Sequence, residues 1–437
     1  MTRWYKTPRI WKWLAMLQIW ILLVIWSPLF FSWFEPPVTP PVTLSLLVLE
    51  SEIPYWKPLT QEFHDKHPKI NIKLTGAETT DGIKEIYTTD FQQDSPNYDL
   101  VYMDIIWLPK FAKEERLRQL DDDRIAQAVL KQDFLEQEVK LGQYEGHLYR
   151  IPFRSDAGVL FYRKDLLEKA GVQPPTTFPE VLQASQKLKE LKLKPLQYLW
   201  QGKQYEGLVA TYFEVLSGHN GFWINSNTKE VGLDKDEAIE AAEFLHSAIA
   251  KEISPEFITT YDEDDAFGQF VRGEAAFMRG WPDTWDRSEA NNSKVKGNVG
   301  FISIVDNKEE KIVACLGGWG FGIAAKTQHP EQAWLAIKFF TSEEVQRKFV
   351  MKSSYLPTRT KLFSDADIVA KYPQFKDGKM LQIVNEAVPR PIIPEYDEAS
   401  KILQRYLSKA LSNELTPEAA MRLAARETRA LLEKVEK

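Results

Sequence analysis

Cysteine is almost absent: Cys315 stands alone in 437 residues. That excludes an internal disulfide and any site that needs several thiolates. The six histidines are scattered, and no His-Glu-x-x-His zinc motif occurs. A Gly-x-x-x-x-Gly-Lys-Ser/Thr phosphate loop and a Gly-x-Ser-x-Gly nucleophile turn are also missing. Positive charge is not in excess. The formal net charge is −7 with no basic stripe, which argues against a nucleic-acid partner. There is no internal repeat. What remains is an acidic chain, 44% hydrophobic and 27% charged, long enough for two or more domains.

One long apolar run exists, Trp13–Phe34, which carries no charge. As a helix at 1.5 Å per residue it would span roughly 33 Å, enough for a bilayer core. Arg3, Lys6, Arg9 and Lys12 precede it, and this basic flank would stay cytoplasmic. The run is longer than the apolar region of a cleaved signal peptide and has no small-residue cleavage site. An uncleaved membrane anchor over residues 13–34 is therefore expected, with a cleaved signal as the alternative. Glu35–Pro41 reads as an extended Pro-rich linker, so residues 1–41 form a segment apart from the folded body.

The body opens with a strand over Val42–Leu49, a helix over Trp56–His67 and a strand over Lys69–Leu74. A helix at Asp81–Phe91 and a strand at Tyr98–Met103 follow. This alternation predicts an α/β fold with mainly parallel sheets. Helices are expected at Phe178–Leu191, Leu208–Leu216, Lys235–Ala250, Asp264–Arg272 and Pro330–Phe340. A strand should end in Ile151-Pro152, because proline cannot donate to a ladder. Arg154-Ser155-Asp156 then reads as a polar loop before a strand at Ala157–Tyr162. Strand Ile312–Leu316 should break at Gly317-Gly318-Trp319-Gly320.

The stretch Pro152, Phe153, Asp156, Gly158, Leu160, Phe161, Tyr162, Arg163, Lys164, Asp165, Leu166, Leu167 carries a resemblance. It is similar to the first lobe crossing of family 1 extracellular solute-binding proteins, the sugar receptors of ABC importers, of the trehalose/maltose type. The HPKINIKL and YDLVYMDIIWLPKF segments also resemble that family's opening lobe. The resemblance implies a two-lobed type II periplasmic binding fold. The first lobe would comprise 42–151 and 317–356, and the second 152–316 and 357–437. It further implies hinge closure on a di- or oligosaccharide of the trehalose, maltose, sucrose or glucosylglycerol class. Partners would be a membrane permease and its ATPase as separate chains, and the location periplasm or cell exterior. No cofactor or metal is expected.

A sugar site needs carboxylates that accept hydroxyls and aromatic faces that cover a pyranose. The resemblance puts Glu52, Asp104, Asp156, Trp281, Gly318, Trp319 and Arg390 at sugar contacts. Arg154 and Asp283 depart from the family pattern and make the pocket more polar. Each has a plainer reading. Asp104 could cap a helix, Asp156 form a turn, Trp281 fill a core, Gly317-Gly318-Trp319 make a packing turn and Arg390 face solvent. Asp262–Asp265 reads as a helix cap rather than a calcium site, and Cys315 as an inert buried thiol. Two rival functions use the same residues: a glycosidase working through Asp104 and Asp156, or a sensor subunit of a membrane receptor.

Overall fold

The computed structural model describes residues 41–94, 96–121, 133–193, 196–306 and 310–435. The expected membrane segment at residues 13–34 lies outside the described residues. Among those described, no helix is long and apolar enough to cross a membrane.

The apolar runs become strands where they can be covered on both faces. β1 (Val42–Leu49), β2 (Ile70–Ala77) and β3 (Leu100–Asp104) alternate with helices Ile53–Lys66 and Thr80–Asp90. β3 is buried along its whole length and runs parallel to β1, Leu46 opposite Leu100. A small hairpin, β4 (Gln143–Tyr144) with β5 (His147–Leu148), precedes β6 (Ile151–Ala157). Gly158 alone separates β6 from β7 (Val159–Arg163). β7 starts a second sheet with β8 (Leu196–Leu199), β9 (Ala275–Gly280) and β10 (Val299–Ile302). β11 (Cys315–Ile323) returns the chain to the first sheet, which β12 (Leu356–Pro357) and β13 (Val388–Pro389) complete. The seven-stranded sheet runs β12-β6-β11-β3-β1-β2 with β13 beside β11, and the four-stranded sheet β10-β7-β9-β8.

Three local expectations give way. The sheets are mixed, not mainly parallel: β11 runs antiparallel to both β3 and β6, and β7 antiparallel to β9 and β10. The reason is topological. β3 runs out toward the second sheet, and a strand coming back from there enters the first sheet in the opposite sense. Arg154-Ser155-Asp156 is not a loop but the middle of β6. Pro152 is tolerated inside that strand because a bulge sits beside it. Trp319 faces Arg154 and Gly320 faces Pro152, which leaves Phe153 as the extra residue. Likewise Gly317-Gly318-Trp319-Gly320 does not break the chain, since all four pair with β6 within β11, and Trp319 and Gly320 pair with β3 as well.

Helix boundaries follow side-chain chemistry. Helix Phe178–Glu190 opens on a capping box in which Thr177 and Glu180 satisfy each other's backbone donors. Asp262 and Asp265 do the same for helix Glu263–Val271, so the acidic run is a cap. The first sheet is covered by an aromatic cluster around Trp56, whose ring lies 4.9 Å from Phe153, 5.4 Å from Tyr102 and 5.7 Å from Phe321. Helix Tyr396–Leu411 packs on Glu206–Gly218, Asp236–Ala250 and Pro417–Val435. Yet its first turn reaches the helices beside β2 and β3. Lys84 pairs with Asp397, Lys110 with Glu398 at 2.8 Å, and Lys113 with Glu395 at 2.8 Å.

Candidate functional site

The carboxyl end of β3 and the points where β6 and β11 leave the first sheet meet at one place. Such ends are where open α/β sheets bind ligands. A single cross-strand row there reads Asp104 on β3, Trp319 on β11 and Arg154 on β6. The next row places Gly317 opposite Asp156. Arg154 and Asp156 are two apart on one strand and share a face, and Arg154 Nη1 donates to Asp156 Oδ2. From the second sheet come Trp281 and Asp283, just past the end of β9. Together these residues line a cavity of about 420 Å³, with Gly318, Arg390, Tyr355, Glu206 and Arg279.

Of the residues expected from sequence, Asp104, Asp156, Trp281, Gly318, Trp319, Arg390, Arg154 and Asp283 all line this cavity. Glu52 does not. It is fully buried behind Arg154, accepting from Arg154 Nη2 at 3.0 Å and from Trp56 Nε1 at 3.0 Å. Asp104 holds two roles, since its carboxylate also caps the turn that follows by accepting from Ile106 N–H at 3.3 Å. Gly318 has φ +154, and a Cβ there would press on the Glu138 carboxylate and the Arg154 carbonyl.

Three residues were not foreseen. Glu206 opens helix Glu206–Gly218 and accepts from Arg390 Nη1 at 2.6 Å, Ser400 Oγ at 2.6 Å and the Tyr396 hydroxyl. Arg390, 3.8 Å from Asp104 on its other side, therefore bridges a carboxylate of each sheet's half. Arg279 donates twice to Glu214, at 3.0 and 2.7 Å, and lies 4.0 Å over the Trp281 ring. Its position two before Trp281, on the same side of a strand, was the available signal. Tyr355 stacks on Arg154 at 4.1 Å.

Electrostatics are set by burial. It pushes the Asp156 carboxyl up to about 8, against the pull of Arg154. It pushes Asp283 up to about 6, opposed by Arg287 and Arg154. One Asp156 oxygen faces Arg154, and the other, Oδ1, is buried without a hydrogen-bond partner. Burial raises the Cys315 thiol to about 12, so it is inert at neutral pH.

The cavity is thus a polar, aromatic-walled pocket between two sheets, with carboxylates and guanidinium groups aimed inward. Comparison with known proteins agrees with that description. A probable ABC transporter-binding protein of Deinococcus radiodurans is 30% identical over 285 residues, 63% of this chain and 67% of the relative. The solved MalE3 of T. maritima, bound to maltose, superposes with a TM-score of 0.82 at 31% identity, covering 89% of this chain and 99% of that one. A solute-binding protein of Thermotoga lettingae, bound to alpha-D-tagatose, has a TM-score of 0.79 at 25% identity, covering 90% and 100%. The profile of the bacterial extracellular solute-binding proteins matches residues 50–347, and the chain belongs to that family, the binding components of ABC transporters.

Proposed function

We propose that the protein captures a sugar in the cavity between its two sheets and presents it to a membrane permease driven by a separate ATPase chain. The observation that carries this reading is the meeting of Trp281, from the second sheet, with Asp104, Asp156 and Trp319, from the first, around one 420 Å³ space. Pockets of this size, with an apolar face and a few fixed polar groups, suit small ligands. Relatives support the sugar class: maltose in the T. maritima protein and tagatose in the T. lettingae protein. The same ligand set is proposed for this chain, with Glu52 acting behind Arg154. The lobes are taken as 42–151 with 317–356, and 152–316 with 357–437. The reading is of binding without turnover, in the periplasm or at the cell exterior, with residues 13–34 as a tether to the membrane.

Tryptophan fluorescence titrated with mono- and disaccharides tests it. A saturable change with at least one sugar is expected, and Trp281→Ala should weaken that sugar about tenfold or more, a loss of about 1.4 kcal/mol. No response across the panel would overturn the sugar reading. Steady release of monosaccharide in proportion to protein would overturn the absence of turnover.

A further inference from the structure

Every cation in the cavity wall already faces an acid of this chain. Arg154 donates to Glu52 at 3.0 Å and to Asp156. Arg279 donates to Glu214 at 3.0 and 2.7 Å and to Gln201 at 3.2 Å. Arg287 donates to Asp264 at 2.7 Å, and Lys203 to Asp262 at 3.1 Å. Arg390 holds Glu206 at 2.6 Å and has Asp104 at 3.8 Å. Its Nε has no partner, but two carboxyl groups already flank this guanidinium. Among the lining residues no cation is left over for an anionic ligand.

Acids, in contrast, are in excess. Nine carboxyl groups and five cations line the cavity, with Glu52 and Glu214 behind the wall as further acids. The imbalance is sharpest around Arg154. Asp156 is 6% exposed, and its Oδ1 has no hydrogen-bond partner. Asp283 forms no ion pair, since Arg287 and Arg154 act on it only through space. Burial raises the Asp156 carboxyl most, and the charges of Asp283 and Glu52 raise it further, so three acids lie around one guanidinium. The indole of Trp281 adjoins them. A Cβ on Gly317 would sit 3.2 Å from Asp156 and 3.5 Å from Trp281, and Asp283 follows that tryptophan by two residues. Buried acids without a cation are costly. An ammonium supplies both the charge and three donors.

We infer that the sugar or polyol taken by this cavity carries a basic nitrogen, as an amino sugar or amino polyol does, held by Asp156 and Asp283 beside Trp281, and that acidic sugars are excluded. The inference rests on the sugar reading above and narrows its ligand class.

Calorimetric titration of the full chain with matched ligands is the test. The panel comprises hexoses, hexitols and disaccharides, each beside analogues with one hydroxyl replaced by an amine at successive positions, and beside the corresponding uronate. The best amine should bind at least fivefold tighter than its hydroxyl parent, and a smaller gain throughout the panel overturns the inference. N-acetylation of that amine should remove the gain, and a gain that persists shows that charge is not its source. The uronate of the best sugar should bind at least fivefold more weakly than its parent, and a smaller loss overturns the exclusion of acids. Asp283→Asn and Asp156→Asn should each cut the amine-to-parent ratio threefold or more, and a ratio that either leaves intact overturns the assignment of these carboxyl groups. Should a variant fail to fold, the native series decides. If no member of the panel binds, the sugar reading falls and this inference with it, whereas parents that bind as well as their amines sink the inference only.

Discussion

Asp156 sits where burial and a neighbouring cation pull in opposite directions. Its carboxyl, raised to about 8, keeps in the native chain a proton that an unfolded chain releases near 3.8. Between those values the native state binds more protons, so this group's contribution is full at low pH and is lost as pH rises through 8. Asp156→Asn removes the dependence while its side-chain carbonyl still accepts from Arg154. The mutant's stability relative to the native chain should grow from about pH 4 to 8, by at most about 1.4 kcal/mol per unit, then level off. Urea unfolding at stepped pH reads this directly, and a difference that shrinks with pH would refute it. At this scale the sequence was informative about strand ends. Asp104 and Trp281 fall where an apolar run stops, so a cavity at sheet ends could be anticipated. The place of Glu52 could not, because it depends on meeting Arg154 across 102 positions of chain.

Among the elements, the junction of β6 and β7 is the most constrained. A Cβ on Gly158 would land on the Glu214 carboxylate. That carboxylate is the buried partner of Arg279 and also accepts from Cys315 N–H at 3.2 Å, so it ties β9 to the start of β11. Gly158→Ala should break this pair and cost about 3–5 kcal/mol, as loss of one partner of a buried ion pair does. Thr177→Ala, which removes a helix cap, should cost about 1 kcal/mol. Equal midpoint shifts for the two in denaturant would show that Glu214 can move aside. Helices such as Pro330–Phe340 were legible because proline and acids mark their starts. The long strands β6 and β11 were not. Pro152 and Gly317-Gly318 are breakers by local rule, and only the pairing of β6 with β11, with a bulge at Phe153, carries the strands through them.

Across the whole molecule, three lysines beside the first sheet hold the acidic first turn of helix Tyr396–Leu411. If closure on ligand makes these pairs, a neutral sugar should bind about two- to fivefold more weakly at 1 M salt than at 0.1 M, as the screening length drops from about 10 to 3 Å. The double change Lys84→Ala with Lys110→Ala should abolish that dependence, and scattering should show a smaller radius of gyration with sugar bound. A salt-independent affinity would mean the pairs persist in the open form. The same architecture has a consequence for synthesis. β3 finds its neighbour β11 only after roughly 200 further residues, tens of seconds at about 5–20 residues per second. β13 arrives later still. The strands of the seven-stranded sheet lie on both sides of the run that supplies the four-stranded sheet, so no single cut frees a half that could mature alone. The polypeptide stays incomplete, and hence threadable, until its last third has emerged, which suits a chain whose family works outside the cytoplasm.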